Sequence, residues 1–410
     1  MSAIHENPLA GVRVLMIAPQ PFFQPRGTPI SVYHRAVALG RLGAQVDLLT
    51  YPIGDTPEIP GVTIHRAAPK GLFDNVKIGP SFKKLPLDLG LFVLALRFLS
   101  SRTYDVVHTH EEAGIFYAMV SGLFKVPHLY DMHSSLPQQF ANFDAFNIAP
   151  VVGIFRRLEQ LTLDRSAALI TICSDLEDTV KALRPDRKQV MIENFVDNLT
   201  AFGRDESADR EIETRWASAN EKTVLYTGTL EPYQGLDLLI KGAPRVLEKV
   251  PEARFLIVGG KPEQIAMYRE MARGFGVQGK FHFTGQVPPH HVAAYVNLAQ
   301  VLVSPRSSGT NTPLKIYCFL GCGVPVVATR MYTHTQVLDE NNAFLADPEP
   351  DAFADGIVSA LTDEDRRARV LAAAKAKSDA EYSYDRYLDK VLTVYRHVLG
   401  PERVPGGEED

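Results

Sequence analysis

Three cysteines, Cys173, Cys318 and Cys322, are all that the 410 residues contain. So few, and an odd number, exclude a disulfide-stapled secreted scaffold and fit a reducing cytosol. A basic excess is lacking too. The chain has 43 Lys+Arg against 48 Asp+Glu, a formal net charge of −5, which argues against a general nucleic-acid binder. The longest apolar run, residues 85–99, contains Asp88 and Arg97 and falls short of the ~20 apolar residues that span a bilayer. It reads as a buried or interfacial helix. The opening Met1-Ser2-Ala3-Ile4-His5-Glu6 has neither the basic region nor the apolar core of a signal peptide. No repeat of solenoid length is visible. These absences lead to the expectation of a cytoplasmic protein with no transmembrane span.

Hydrophobic residues make up 45% and charged residues 22% of the chain, ordinary values for a soluble globular protein. At roughly one domain per 150 residues, the length implies two or three domains. The first half alternates short apolar runs, rich in β-branched residues, with helix-like stretches. Strands are expected at 12–18, 45–51, 62–67, 105–110, 127–133, 168–174 and 189–195, then at 223–229, 254–260, 280–286, 300–306 and 325–329. Such spacing predicts βαβ units around buried parallel sheets. One helix is placed by Leu236, Leu239, Ile240, Ala243, Val246, Leu247 and Val250, which follow the i, i+3, i+4, i+7 pattern. A polar linker at 198–222 separates the halves, with a short helix near Ile212–Trp216, and the tail from Gly400 is polar. The fold class is α/β, with two doubly wound Rossmann-like domains. Ligands of such sheets bind at the carboxyl ends of the strands.

The stretch from Ser304 to Thr329 reads strand, loop, helix, Gly-Val-Pro turn, strand. Thr312 suits an N-cap and Pro313 the first helical position. The loop Gly309-Thr310-Asn311 would then aim free amides at a ligand over the helix end, a phosphate-binding arrangement. Arg306 and Lys315 flank that end. The alternative is a packed, empty loop of the kind any α/β protein has.

This stretch resembles the donor-site motif of the retaining glycosyltransferases of family four, which have the GT-B fold. The resemblance runs along nearly the whole chain. Gly11-Val-Arg-Val-Leu-Met-Ile-Ala18 and Arg26-Gly27-Thr28 are similar to the family's opening unit. Asp105-Val-Val-His-Thr-His110 and Tyr130-Asp-Met-His133 are similar to its middle strands, and Glu193-Asn-Phe-Val-Asp197 to a later segment. Tyr226-Thr-Gly-Thr-Leu230, Tyr233-Gln-Gly-Leu-Asp237 and Phe283-Thr-Gly285 resemble its second domain. The resemblance implies an N-terminal acceptor-side domain at 1–197, a donor domain at 223–385, and a C-terminal helix and tail at 386–410 that return to the first domain. It implies transfer of a sugar from a nucleotide sugar to a glycan, lipid-linked or small-molecule acceptor, with retention and with no metal or other cofactor. Gly228, Thr229, Gln234, Gly285, Arg306, Thr310, Asn311, Thr312 and Lys315 would bind the donor. Gly27, Thr28, His110 and Glu111 would form an acceptor or phosphate loop, and His133, ending the strand at 127–132 and followed by a loop, would be catalytic and face the reacting sugar; the alternative is a structural histidine bonded to a neighbouring strand.

Four charged positions depart from the family pattern. Its usual Arg and Lys on the diphosphate are Thr229 and Gln234 here, and its two Glu positions are Thr310 and Cys318. Either Arg306 and Lys315 replace the lost cations, or the protein binds sugar nucleotides without transferring; an epimerase or hydrolase of the same architecture is a further reading. His108, His110, Glu111, Glu112, Asp131 and His133 gather at adjacent strand ends, as a metal site or as a polar, substrate-binding rim; the rim is preferred because no helical metal-ligand spacing joins them. Thr333-His334-Thr335-Gln336 is open to a ligand contact or a plain helix start. Lys83-Lys84 and Phe155-Arg156-Arg157 leave a peripheral contact with an anionic membrane open beside an ordinary solvated patch.

Overall fold

The computed structural model describes residues 7–24, 27–68, 84–135, 149–193 and 206–404. The chain divides into two units, Met1–Glu193 with Tyr387–Asp410, and Asn194–Arg386. The first unit runs β1 (Arg13–Ala18), α1 (Gly27–Arg41), β2 (Gln45–Thr50), β3 (Val62–Arg66), α2 (Leu85–Ser101), β4 (Val106–His110), α3 (Ala113–Phe124), β5 (His128–Met132), α4 (Ala149–Arg165), β6 (Ala168–Thr171), α5 (Ser174–Leu183) and β7 (Gln189–Met191). Its strands form a parallel sheet in the order β3-β2-β1-β4-β5-β6-β7. Period-two alternation divides β4 between two environments. Val107 joins Leu15, Ile17, Leu91 and Tyr117 in an apolar layer under α2 and α3, and its neighbour His108 belongs to a polar cluster described below.

The second unit runs α6 (Glu206–Trp216), β8 (Lys222–Thr227), α7 (Leu236–Lys249), β9 (Ala253–Val258), α8 (Pro262–Gly274), β10 (Phe281–Gly285), α9 (Val292–Asn297), β11 (Val301–Ser304), α10 (Leu314–Gly321), β12 (Val326–Thr329), α11 (Tyr332–Thr335), β13 (Phe344–Ala346), α12 (Pro350–Thr362) and α13 (Glu364–Glu381). Its parallel order is β10-β9-β8-β11-β12-β13. Val224 and Tyr226 pack against α7 and α12 on one face, while Leu225 packs with Ile316 and Phe319 on the other. Burial on both faces explains why these strands read as continuous apolar runs. The helix α14 (Tyr384–Leu399) begins in the second unit and continues in the first.

Expected and observed elements differ mainly at their ends. The strand expected at 168–174 stops at Thr171, because Ser174 opens α5 with extended Cys173 as its N-cap. The strand expected at 189–195 is paired only over Gln189–Met191, and residues 194–197 of the family-like segment lie outside the described residues. The linker helix is longer than expected, Glu206–Trp216. The three-residue β13 was not expected, since three residues are too few to show a period. Among the described residues no helix is long and apolar enough to cross a membrane.

Candidate active site

The strand order of the second unit reverses between β8 and β11, and the crevice at their carboxyl ends is where such a sheet holds a ligand. Gly228 and Thr229 follow β8, and Arg306 lies two residues past β11. The turns here need glycine. A Cβ on Gly259 would stand 2.0 Å from the Gly228 carbonyl oxygen, and one on Gly235 1.9 Å from that of Pro305. The Gly259 amide donates to the Gly285 carbonyl at 2.9 Å, which brings Gly285 into the same rim. Ser307 donates its amide to the Tyr233 carbonyl at 3.0 Å, so the two walls touch.

Two cations are fixed in this crevice. Arg306 donates from Nε to the Ser308 carbonyl at 2.9 Å and from Nη1 to the Asn311 carbonyl at 3.0 Å, and it lies 5.2 Å from the Tyr233 ring centroid. Lys315, in the first turn of α10, donates from Nζ to the Thr227 carbonyl at 2.9 Å and stands 4.0 Å over the Tyr226 ring. Burial, reinforced by Arg306, pushes the Lys315 ammonium down to about 7. It therefore titrates where an incoming anion would restore its charge. Tyr226 and Tyr233, which seat these cations, were legible only as letters of the quoted motifs.

The loop between the walls is braced from behind. The Asn311 carbonyl also accepts from Thr333 Oγ1 at 2.6 Å, and Gln336 donates to the Thr310 carbonyl. Thr312 is not the N-cap expected. Pro313, at φ −63 and ψ 134, occupies that position, and α10 starts at Leu314 without a side-chain cap. The extended ψ of Pro313 keeps it out of the helix, and Thr312 is buried with its Oγ1 unpartnered. Gln234 likewise has a buried, unpartnered Oε1. Cys318 points into the core, 5% exposed, and Cys173 is also a core residue. His334 is buried between Ser304 Oγ at 2.9 Å and the Thr329 carbonyl at 2.9 Å, so the 333–336 segment is a short helix that braces the loop.

In the first unit the order reverses between β1 and β4. Thr28, in the first turn of α1, donates to Glu111 Oε1 at 3.0 Å across that point. Gly27 opens α1 at φ +33 and Glu111 holds φ +50; Arg26 lies outside the described residues. Burial, then the neighbouring Glu112 carboxylate, raises the Glu111 carboxyl to about 7. Glu112 binds Lys84, and Asp88 accepts from Tyr51.

The expected single rim is in fact two groups. Glu111 and Glu112 form this half-buried acidic one. His108, His110, Asp131 and His133 form another that is buried throughout. Arg35 Nε stands 2.9 Å from Asp131 Oδ2, and its Nη2 donates to the Ile192 carbonyl at 2.9 Å. His110 Nδ1 and His133 Nε2 are 3.0 Å apart, and Tyr395 of α14 reaches His108 Nδ1 at 3.0 Å. Burial alone would raise the Asp131 carboxyl, but Arg35 and the surrounding histidines hold it well below the usual carboxylate range. His133, at the end of its strand, therefore lies inside this buried cluster. It is 3% exposed, and burial pushes it down to about 4. At this strand end His133 Nε2 stands 3.0 Å from His110 Nδ1 and 3.4 Å from Asp131 Oδ1. His108, His110 and Asp131 offer ligand atoms within 4.8 Å of one another, yet the Arg35 guanidinium already neutralises the carboxylate a metal ion would need.

Comparison with known proteins matches both halves. Residues 25–198 match the model of Glycosyltransferase Family 4, and residues 221–363 that of Glycosyl transferases group 1. The chain is a family four glycosyltransferase. This glycosyltransferase is 24% identical over 398 residues to D-inositol 3-phosphate glycosyltransferase of Corynebacterium glutamicum (strain R), covering 93% of this chain and 94% of the relative. It is 24% identical over 406 residues to phosphatidyl-myo-inositol mannosyltransferase of Mycobacterium tuberculosis (strain H37Rv), covering 95% and 98%. Its fold is similar to that of Anabaena HepE in complex with UDP, with a TM-score of 0.70 at 16% identity over 94% of this chain and 99% of that one. The glycosyltransferase thus has the GT-B fold, with its two parallel-sheet units.

Proposed function

We propose that this glycosyltransferase moves a sugar from a nucleoside diphosphate sugar to an acceptor hydroxyl, with retention at the anomeric carbon and without a metal ion. The observation that carries the reading is the pair of fixed cations, Arg306 and Lys315, beside the glycine turns after β8 and β11. They stand where the family's Arg and Lys are replaced by Thr229 and Gln234. In this reading the acceptor oxygen bonds to the anomeric carbon as the bond from that carbon to the diphosphate oxygen breaks. The electron pair leaves with the nucleoside diphosphate, which takes the acceptor proton on the same face. The charge developing on the diphosphate meets Arg306, Lys315 and the uncapped amides of α10, all set before the reaction starts. Gly228, Thr229, Gln234, Gly285, Thr310, Asn311 and Thr312 line the donor. Gly27, Thr28 and Glu111 hold the acceptor, His133 serves the sugar as a neutral imidazole, and the buried His110 orients it from 3.0 Å.

The UDP bound in the HepE complex supports a nucleoside diphosphate donor, and the mycobacterial relative supports a lipid-linked acceptor. An enzyme acting on such an acceptor on the cytoplasmic side works in peripheral contact with a membrane. Metal independence is supported by the guanidinium already seated on Asp131. The test combines a thermal-shift screen of nucleotide sugars with turnover of the stabilising donor in excess chelator, the product's anomeric configuration being read by NMR. Turnover should survive chelation and the configuration should be retained. Loss of turnover restored by a divalent ion, or an inverted product, would overturn the corresponding part.

A further inference from the structure

Six of the ten most exposed large apolar side chains among the described residues lie on three helices of the first unit: Leu85, Leu89 and Val93 on α2, Met119 and Leu123 on α3, and Ile154 on α4. Leu89 is 63% and Leu123 79% exposed. Spacing by four residues aligns each set along one side of its helix. The opposite side of α2 is already used, with Leu87, Leu91, Ala95 and Phe98 buried in the sheet's apolar layer. The helices are neighbours. Phe92 of α2 and Phe116 of α3 have ring centroids 5.4 Å apart, and Ile115 of α3 packs against Val152, Phe155 and Leu158 of α4. The exposed ridges therefore lie on three adjoining helices, a clustering that marks an interaction site rather than singly scattered surface residues.

Its charge is the reverse of the whole chain's. The segment Ala113–Phe124 contains no charged residue. Around it Arg97, Lys125, Arg156, Arg157 and Arg165 are exposed. The carboxylates of the same helices do not offset them: Asp88 and Glu159 are buried, and Asp164 is bound by Arg184.

We propose that this face docks on an anionic lipid bilayer, the ridges of α2 and α3 entering the boundary between headgroups and acyl chains and the arginines meeting lipid phosphates. The proposal deepens the membrane contact proposed above and rests on it. Charge selects the occupant. A second copy of the same face would set these cations against each other, whereas anionic lipid complements them. Apolar ridges rimmed by Lys and Arg are what an interfacial surface needs to combine burial with electrostatic attraction.

The experiment is co-sedimentation of the full chain with phosphatidylcholine vesicles, with and without phosphatidylglycerol, and without any sugar nucleotide. Wild type should bind the phosphatidylglycerol vesicles and release as salt is raised. Arg156→Ala with Arg157→Ala should weaken binding about 25-fold, roughly fivefold for each cation withdrawn from an anionic surface. Leu89→Glu with Leu123→Glu should abolish it, while the thermal shift with nucleoside diphosphate stays as in wild type. If that variant melts early, Leu123→Ser alone serves the same purpose. Wild-type binding that neither variant reduces would overturn this surface and leave the membrane contact standing. Binding to neither vesicle would overturn both, and a wild-type dimer by light scattering that Leu89→Glu with Leu123→Glu dissociates would assign the face to self-association instead.

Discussion

Replacing Lys315 with methionine keeps the length of the side chain and removes its charge. In the native enzyme the ammonium is held against the Thr227 carbonyl at 2.9 Å and the Tyr226 ring at 4.0 Å, and burial lowers it to about 7. A bound diphosphate favours the charged form and raises that value. The interaction is thus fully present below pH 7, and weakens as pH rises from the free value towards the bound one. Between those two values each pH unit costs about tenfold in affinity, because one proton is taken up on binding. At pH 7 the Lys315→Met variant should lose the contribution of a hydrogen bond to a charged group, about 1.5–3 kcal/mol, or ~10- to 150-fold. Nucleoside binding should hardly change. The assay is calorimetric titration with a nucleoside diphosphate and its parent nucleoside, from pH 7 to 9, in two buffers of different ionisation enthalpy so that the proton is counted. Wild-type affinity that stays flat over this range would refute the reasoning, as would equal losses for diphosphate and nucleoside in the variant.

Arg306→Ala should also weaken the nucleoside diphosphate more than the nucleoside; because it releases the carbonyls of Ser308 and Asn311, equal weakening would mean that Arg306 only shapes the loop. Arg35→Ala leaves the Asp131 carboxylate buried and unmatched, which should cost about 3–5 kcal/mol. At ~2–4 °C per kcal/mol for a unit of this size the melting temperature should drop by roughly 6–20 °C. Since Asp131 is held below its unfolded value, the wild-type advantage is present at neutral pH and is lost as pH falls through the folded value; an advantage that persisted in strong acid would count against the pair. His133→Ala removes the partner of His110, so it should cost about 1–3 kcal/mol of stability and lower turnover by ~10²-fold. The shape of the pH profile near neutrality should not move, because His133 stays uncharged there; an inflection near pH 6.5 that vanished in the variant would show that it titrates after all.

The periodicity of the chain was sufficient for most of the strand-helix alternation and for α7, because central strands such as β1, β8 and β9 are buried on both faces and are written mainly in apolar residues; β13 was too short to show a period. Motif order was sufficient for the family, because the glycines at 228, 235 and 285 stand at positive φ that other residues rarely adopt. The fate of the polar residues was not legible. Sequence spacing put six of them at one strand edge, but only packing decides that Arg35 from α1 and Tyr395 from α14 close over His108, His110, Asp131 and His133, whereas Glu111 turns out at φ +50 to meet Thr28. These partners are separated by up to 287 residues along the chain, and no local pattern encodes such a distance. The same holds for Lys315, whose charge state depends on the burial and the neighbouring guanidinium that tertiary structure supplies. It holds too for α2 and α3, whose apolar sequences read alike on every side until the sheet takes one side and leaves the other exposed. Local sequence determines where the backbone can hydrogen-bond with itself; the pKa values and the exposed face arise from desolvation, which only the assembled fold defines.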